Sequence, residues 1–131
     1  HSYSKKGVIR GLKYQYDAPT AKLVRVASGS IFAVAVDIRP DSSTFGKWEG
    51  FELSAQNFNM LFVPRGFAHG FCTLEDYTEF QYGCDDFYDP ANEDAIIWND
   101  QTLKIYWPIE NPILSEKDSK AQLFSDFNSP F

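Results

Sequence analysis

Apolar and polar positions alternate with a period of two along most of this chain. From Thr78 to Cys84, the residues Thr78, Phe80, Tyr82 and Cys84 share one face of a strand, and Glu79, Gln81 and Gly83 share the other. That phase predicts a buried Tyr82 ring beside Phe80, with a hydroxyl that needs a partner. "KLVRVASG" runs into "SIFAVAVDIRP", with Gly29-Ser30 as the turn between two strands. In the second strand Phe32, Val34, Val36 and Ile38 alternate with Ile31, Ala33 and Ala35. Both faces are apolar, so this strand is expected to be covered on both sides. "PDSS", "SAQN", "PRG" and "NDQT" break the pattern at short intervals. Short strands at that spacing predict an all-β sandwich or barrel. "SEKDSKAQ", residues 115–122, reads as a short C-terminal helical turn with Ser115 as its N-cap. No repeat or linker divides the chain, so residues 1–131 are read as one domain.

One strand-like stretch breaks the rule that charge stays outside. "VIRGLKYQ", residues 8–15, carries Arg10 and Lys13 in otherwise apolar surroundings. Their odd spacing puts them on opposite faces of a regular strand. A bulge at Gly11 would turn both the same way. Lys22 and Arg25 pose the same question of parity.

Composition narrows the function. A chain of 131 residues can bury a core without a metal or a disulfide. Twelve Phe, seven Tyr and three Trp favour strands and suit stacking on a flat ligand ring. A net charge of −6 argues against nucleic-acid or membrane-surface partners. Yet Lys5, Lys6, Arg10, Lys13, Lys22 and Arg25 all fall in the first 25 residues, with Asp17 as the only acid. A local cationic site in an acidic chain suits a small anion, with Lys5 and Lys6 read as solvated terminal charges. Cys72 and Cys84 lack a CxxC spacing and are read as free thiols in strands, which points to a reducing cytoplasm. No apolar run approaches the ~20 residues of a membrane span, and no signal peptide is visible.

Four further residues draw attention, each with a plainer alternative. His69 in "PRGFAHGF" shares a face with Phe67 and Phe71, where a hydrogen-bonded core histidine is the simpler reading. A metal site is not expected, because the other histidine is residue 1. Asp118 in "SEKD" reads by composition as a solvated acid next to Lys117. Tyr88 in "DFYDP" is ordinary turn packing or a stacking surface for a base. Tyr82, taken alone, is a core tyrosine.

The order of the motifs changes these odds. "GVIRGLKYQ", "KLVRVASGSIFAVAVDIR", "SSTFGKWEGFELSAQN", "VPRGFAHGF", "TEFQYGCDDFYDP", "IIWND" and "PILSEKDSKA" follow one another from Ser4 to Leu123. As a set they resemble the dTDP-4-dehydrorhamnose 3,5-epimerase family. The resemblance implies a cupin-type jelly-roll barrel, usually dimeric, that works without a metal or other cofactor on a nucleotide diphosphate sugar. The chemistry it implies is proton abstraction beside a ketone, followed by proton return from the other face. It casts Tyr82 as the acid, Asp118 as the carboxylate of the basic pair and Lys22 as the partner of the enolate oxygen. Arg10 becomes the phosphate ligand, and His69, Tyr88 and Lys117 join it in binding substrate. The base itself should be the histidine of a "RGLHYQ"-type motif, and here that position is Lys13.

A free lysine is protonated at neutral pH and must lose about three pKa units to act as a base there. Arg10 and Lys22 would push that way; Asp118 would push the other way. A Lys13–Asp118 ion pair, and a lost or weakened base function, is the expectation. Three readings follow: an epimerase with an atypical base, with Lys13 or His69 in that role; a barrel that binds a nucleotide sugar without epimerising it; or an enzyme for a different step on a related keto-sugar. Family members also carry strands ahead of the segment that starts here. A barrel without them would expose a sheet edge, and a homodimer is expected where they are present.

Overall fold

The computed structural model describes residues 2–17 and 19–131. Among these residues nine strands, β1 (Ser2–Ser4), β2 (Ile9–Gln15), β3 (Lys22–Ser28), β4 (Ser30–Asp37), β5 (Trp48–Ser54), β6 (Leu61–Val63), β7 (Phe67–Thr73), β8 (Thr78–Cys84) and β9 (Glu93–Ala95), precede a one-turn helix, α1 (Glu116–Ser119). They form two antiparallel sheets, ordered β1-β8-β3-β6 and β5-β4-β7-β2-β9. This is the all-β, cupin-type architecture the motifs imply, with the short C-terminal helix capped by Ser115 as its sequence predicts. Among the described residues no helix is long and apolar enough to cross a membrane.

The two apolar faces of β4 serve two cores. Ile31 and Ala33 look toward the four-stranded sheet and pack with Val24, Val26, Leu53, Phe71 and Phe80. Val34 and Val36 look the other way, onto a layer built from the C-terminal third, where Ile96, Leu103, Trp107 and Phe127 cover the larger sheet. Side-chain hydrogen bonds fix this cover: the Trp107 indole donates to the Trp98 carbonyl at 2.8 Å, and the Phe124 amide donates to Asp100 at 2.7 Å. Gly29 is a turn between β3 and β4, but the two strands do not pair with each other. The chain passes there from one sheet to the other, at a φ of +81°, with Thr78 against the place a Cβ would occupy.

A bulge at Gly11, one of the two ways of placing Arg10 and Lys13, is present. On β2 Arg10 stands opposite Phe71 and Lys13 opposite His69, so three steps along β2 match two along β7. Gly11 adopts a φ of +100°, and a Cβ there would lie 2.5 Å from the His69 carbonyl oxygen. Arg10 and Lys13 consequently reach the same cavity. On β3, which is regular at this end, parity holds: Lys22 points inward with Val24 and Val26, and Arg25 points out with Leu23. The Tyr82 ring, by contrast, is not buried. It keeps the predicted phase, 5.3 Å from the Phe80 ring, but is 44% exposed, because β8 runs past the packed layer toward solvent.

Candidate functional site

A cavity of about 230 Å³ opens between the two sheets at one end of the inner core. Its floor is aromatic: the Phe71 and Phe80 rings lie 4.4 Å apart, and the His69 imidazole stacks near Phe80 at 6.3 Å. Its walls are charged. Arg10, Lys13 and His69 from β2 and β7, with Glu93 from β9, form one side; Lys22 and Tyr82 from β3 and β8 form the other, with Tyr88 at the rim. A narrower extension adds Gln15, Pro19, Thr20, Cys84 and Phe131.

Behind the wall lies Asp118, 1% exposed. The Ser115 cap holds the first turn of α1 by accepting from the Asp118 amide, and the Asp118 carboxylate accepts from the Gly11 amide at 3.3 Å. Its other oxygen lies 3.9 Å from the Lys13 ammonium. The same ammonium is 4.0 Å from Glu93 on the cavity side. Lys13 thus sits between a fully buried carboxylate and a largely buried one, 11% exposed, that lines the cavity. Glu93 also accepts a long hydrogen bond from the Tyr88 hydroxyl at 3.5 Å.

Burial dominates the electrostatics of the remaining groups. The His69 pKa is pushed down to about 3 by burial, and the nearby Lys22 charge pushes it the same way. The imidazole is therefore neutral at pH 7, and its Nε2 is buried without a hydrogen-bond partner. Burial also lowers the Lys22 pKa, against the raising influence of Cys84 and Glu93. The Tyr82 phenol is raised, first by burial and then by Cys84 and Glu93, so it keeps its proton at neutral pH. Tyr82 and Lys22 are also in contact, with the ammonium 5.8 Å from the ring centroid. This set can hold an anion, stabilise a developing oxyanion and donate a proton. Among the described residues no group of three or more His, Cys, Asp or Glu is placed to hold a metal ion.

The family model described as dTDP-4-dehydrorhamnose 3,5-epimerase matches residues 1–126. The chain belongs to the dTDP-4-dehydrorhamnose 3,5-epimerase family. It is 52% identical over 127 residues to the dTDP-4-dehydrorhamnose 3,5-epimerase of Shigella flexneri, covering 96% of this chain and 70% of that protein. The crystal structure of the Elizabethkingia anophelis epimerase superposes with a TM-score of 0.93 at 48% identity, over 95% of this chain and 70% of that one. A Legionella pneumophila 3,5-epimerase, solved with dTDP-4-keto-L-rhamnose, gives a TM-score of 0.94 at 45% identity, over 97% and 68%.

Of the residues that the epimerase motifs single out, Arg10, Lys13, Lys22, His69, Tyr82 and Tyr88 all line the cavity. Asp118 touches it only through Lys13 and the Gly11 backbone, and is no solvated acid. Lys117 stands on the exposed side of α1 and does not line the cavity. Glu93 went unnoticed in the sequence. It is one acid in an acid-rich stretch, in a three-residue strand, and only the pairing of Gln15 with Glu93 brings it beside Lys13.

Proposed function

We propose that this chain binds a dTDP-linked 4-keto-6-deoxy sugar in the cavity and epimerises it beside the ketone, with Lys13 slowing the proton-abstraction step. Family membership supports the reaction class. The observation that carries the finer reading is the position of the Lys13 ammonium between Asp118 and Glu93. An ammonium flanked by two carboxylates has no lone pair to offer a C–H bond. Position 13 therefore supplies charge and not basicity.

The remaining groups fit the later parts of the reaction. A 4-keto group acidifies the hydrogens at C3 and C5, and loss of one gives an enolate. Lys22 faces the cavity and is itself largely desolvated, so it acts on a developing oxyanion more strongly than a cation in bulk solvent would. Tyr82, which keeps its proton, returns one to carbon. In this reading Arg10 meets the diphosphate, His69 the sugar and Tyr88 the nucleotide base; all three line the cavity.

Incubation with dTDP-4-keto-6-deoxyglucose in D2O tests the reading, with mass and NMR analysis of C3 and C5. Deuterium entering either carbon faster than in a buffer control is expected. Retained binding of the nucleotide sugar with no incorporation would leave a binding protein and refute the epimerase reading.

A further inference from the structure

With a cation at position 13, some other group must accept the proton from carbon. We infer that the Glu93 carboxylate is that acceptor, an inference that rests on the epimerase reading above. The cavity wall narrows the choice to a few atoms. Lys13 is occupied as an ion-pair partner, and Asp118 lies behind it, bound to the Gly11 amide. Tyr82 holds its proton and faces from the opposite sheet. Lys22 faces the enolate oxygen and the Tyr88 hydroxyl already donates to Glu93, so among the described residues that line the cavity Glu93 and His69 are left as proton acceptors.

Between these two, charge decides. A proton on His69 would create a buried cation near Lys22, and that penalty is what depresses its pKa. A proton on Glu93 removes a charge instead of creating one. It also leaves Lys13 with a second carboxylate, because Asp118 lies 3.9 Å from the ammonium on its far side. The second carboxylate thus frees the first for chemistry.

The step balances as follows. The C–H bond beside the ketone breaks and its proton goes to a Glu93 carboxylate oxygen. Its electron pair forms the enolate double bond, and the carbonyl π pair moves onto oxygen, opposite Lys22. The enolate then collapses, and the same carbon takes the Tyr82 hydroxyl proton from the other wall. The resulting tyrosinate and glutamic acid are reset by proton exchange with water. Glu93 on β9 and Tyr82 on β8 belong to different sheets, so the two protons move on opposite sides of the cavity, as inversion at carbon requires.

The test uses the full chain and the same D2O exchange with dTDP-4-keto-6-deoxyglucose, beside dTDP binding by calorimetry. Glu93→Gln is expected to lose exchange by about 100-fold or more, the span of a general base, while dTDP binds as well or better because a negative charge has gone. Glu93→Ala is expected to regain exchange with added formate, saturably, which a purely structural role would not produce. Wild-type rates in Glu93→Gln, or loss in His69→Asn with Glu93→Gln unaffected, would overturn the assignment and leave the epimerase reading intact. Absence of exchange in the wild-type chain would overturn both. Should Glu93→Gln fail to fold, the formate response of Glu93→Ala decides alone: no rescue in a folded variant rejects Glu93.

Discussion

Gly11→Ala is expected to damage stability and site together, because one bulge serves both. The added Cβ would lie 2.5 Å from the His69 carbonyl oxygen and 2.8 Å from the Gly70 Cα, both backbone atoms of a central strand that cannot swing aside. Forcing a non-glycine residue into that positive-φ conformation costs about 1–3 kcal/mol. Overpacking against β7 adds a further ~1–3 kcal/mol. A destabilisation of about 2–6 kcal/mol follows, a large share of the ~5–15 kcal/mol that holds an ordinary domain. At roughly 2.1 cal/mol/K of unfolding entropy per residue, 131 residues make about 0.3 kcal/mol equivalent to one degree. The Tm should therefore fall by about 7–20 °C. Differential scanning calorimetry measures it, with Gly83→Ala as the control: a Cβ there meets nothing within 4 Å, and its Tm should hold or rise slightly. Arg10 and Lys13 reach the cavity only because Gly11 shifts the register, so deuterium exchange in still-folded Gly11→Ala should drop at least ~10-fold, on the scale of a misplaced catalytic geometry. A Tm within about 2 °C of wild type, well inside a 1 kcal/mol effect, would refute the claim that β7 holds this bulge rigidly.

Three other perturbations follow from the same contacts. His69 has a folded-state pKa of about 3 against 6.5 for the free side chain, so the unfolded chain binds the extra proton below pH 6.5. The stability its burial permits is complete above that pH and declines toward pH 3; urea unfolding should show about 2 kcal/mol lost between pH 6.5 and 5, a slope that His69→Asn flattens. Asp37 is buried, which by itself would raise its pKa, but hydrogen bonds from Arg39, Ser42 and Thr44 outweigh this and hold it well below the usual carboxylate range. Its contribution is complete above the unfolded pKa and is lost only as pH falls on through the depressed folded one, so Asp37→Asn should cost about 2–4 kcal/mol at pH 7 and only about 1 kcal/mol less at pH 3, with little of this owed to the half-exposed Arg39 charge. Lys13→His places an imidazole between Asp118 and the cavity and should speed exchange by about 10-fold or more; a slower variant would show that the Lys13 ammonium has a role of its own.

What could be read from the sequence, and what could not, divides by the range of the interactions. The two-sided apolar pattern of β4 and the phase of Thr78, Phe80 and Tyr82 depend on strand periodicity alone, and both appear in the structure. The exposure of Tyr82 does not follow from phase, because phase says which face a residue occupies and nothing about where the packed layer ends. Gly29 marks a turn correctly, yet only the sheet pairing shows that the turn changes sheets. Asp118 looks solvated in "SEKD" because the amide that its carboxylate meets, that of Gly11, is 107 residues away in the chain. Glu93 is the hardest case. Its acid-rich neighbours mask it, and its importance comes from Lys13, which it meets only through pairing with β2. The resemblance around "RGLKYQ" draws attention to position 13, but it cannot say what a lysine there does to its surroundings. The structure answers in terms of charge: one ammonium, two carboxylates, and only the shallower of them, Glu93, open to a substrate. The departure at position 13 therefore moves the question of basicity from that residue to the carboxylate beside it.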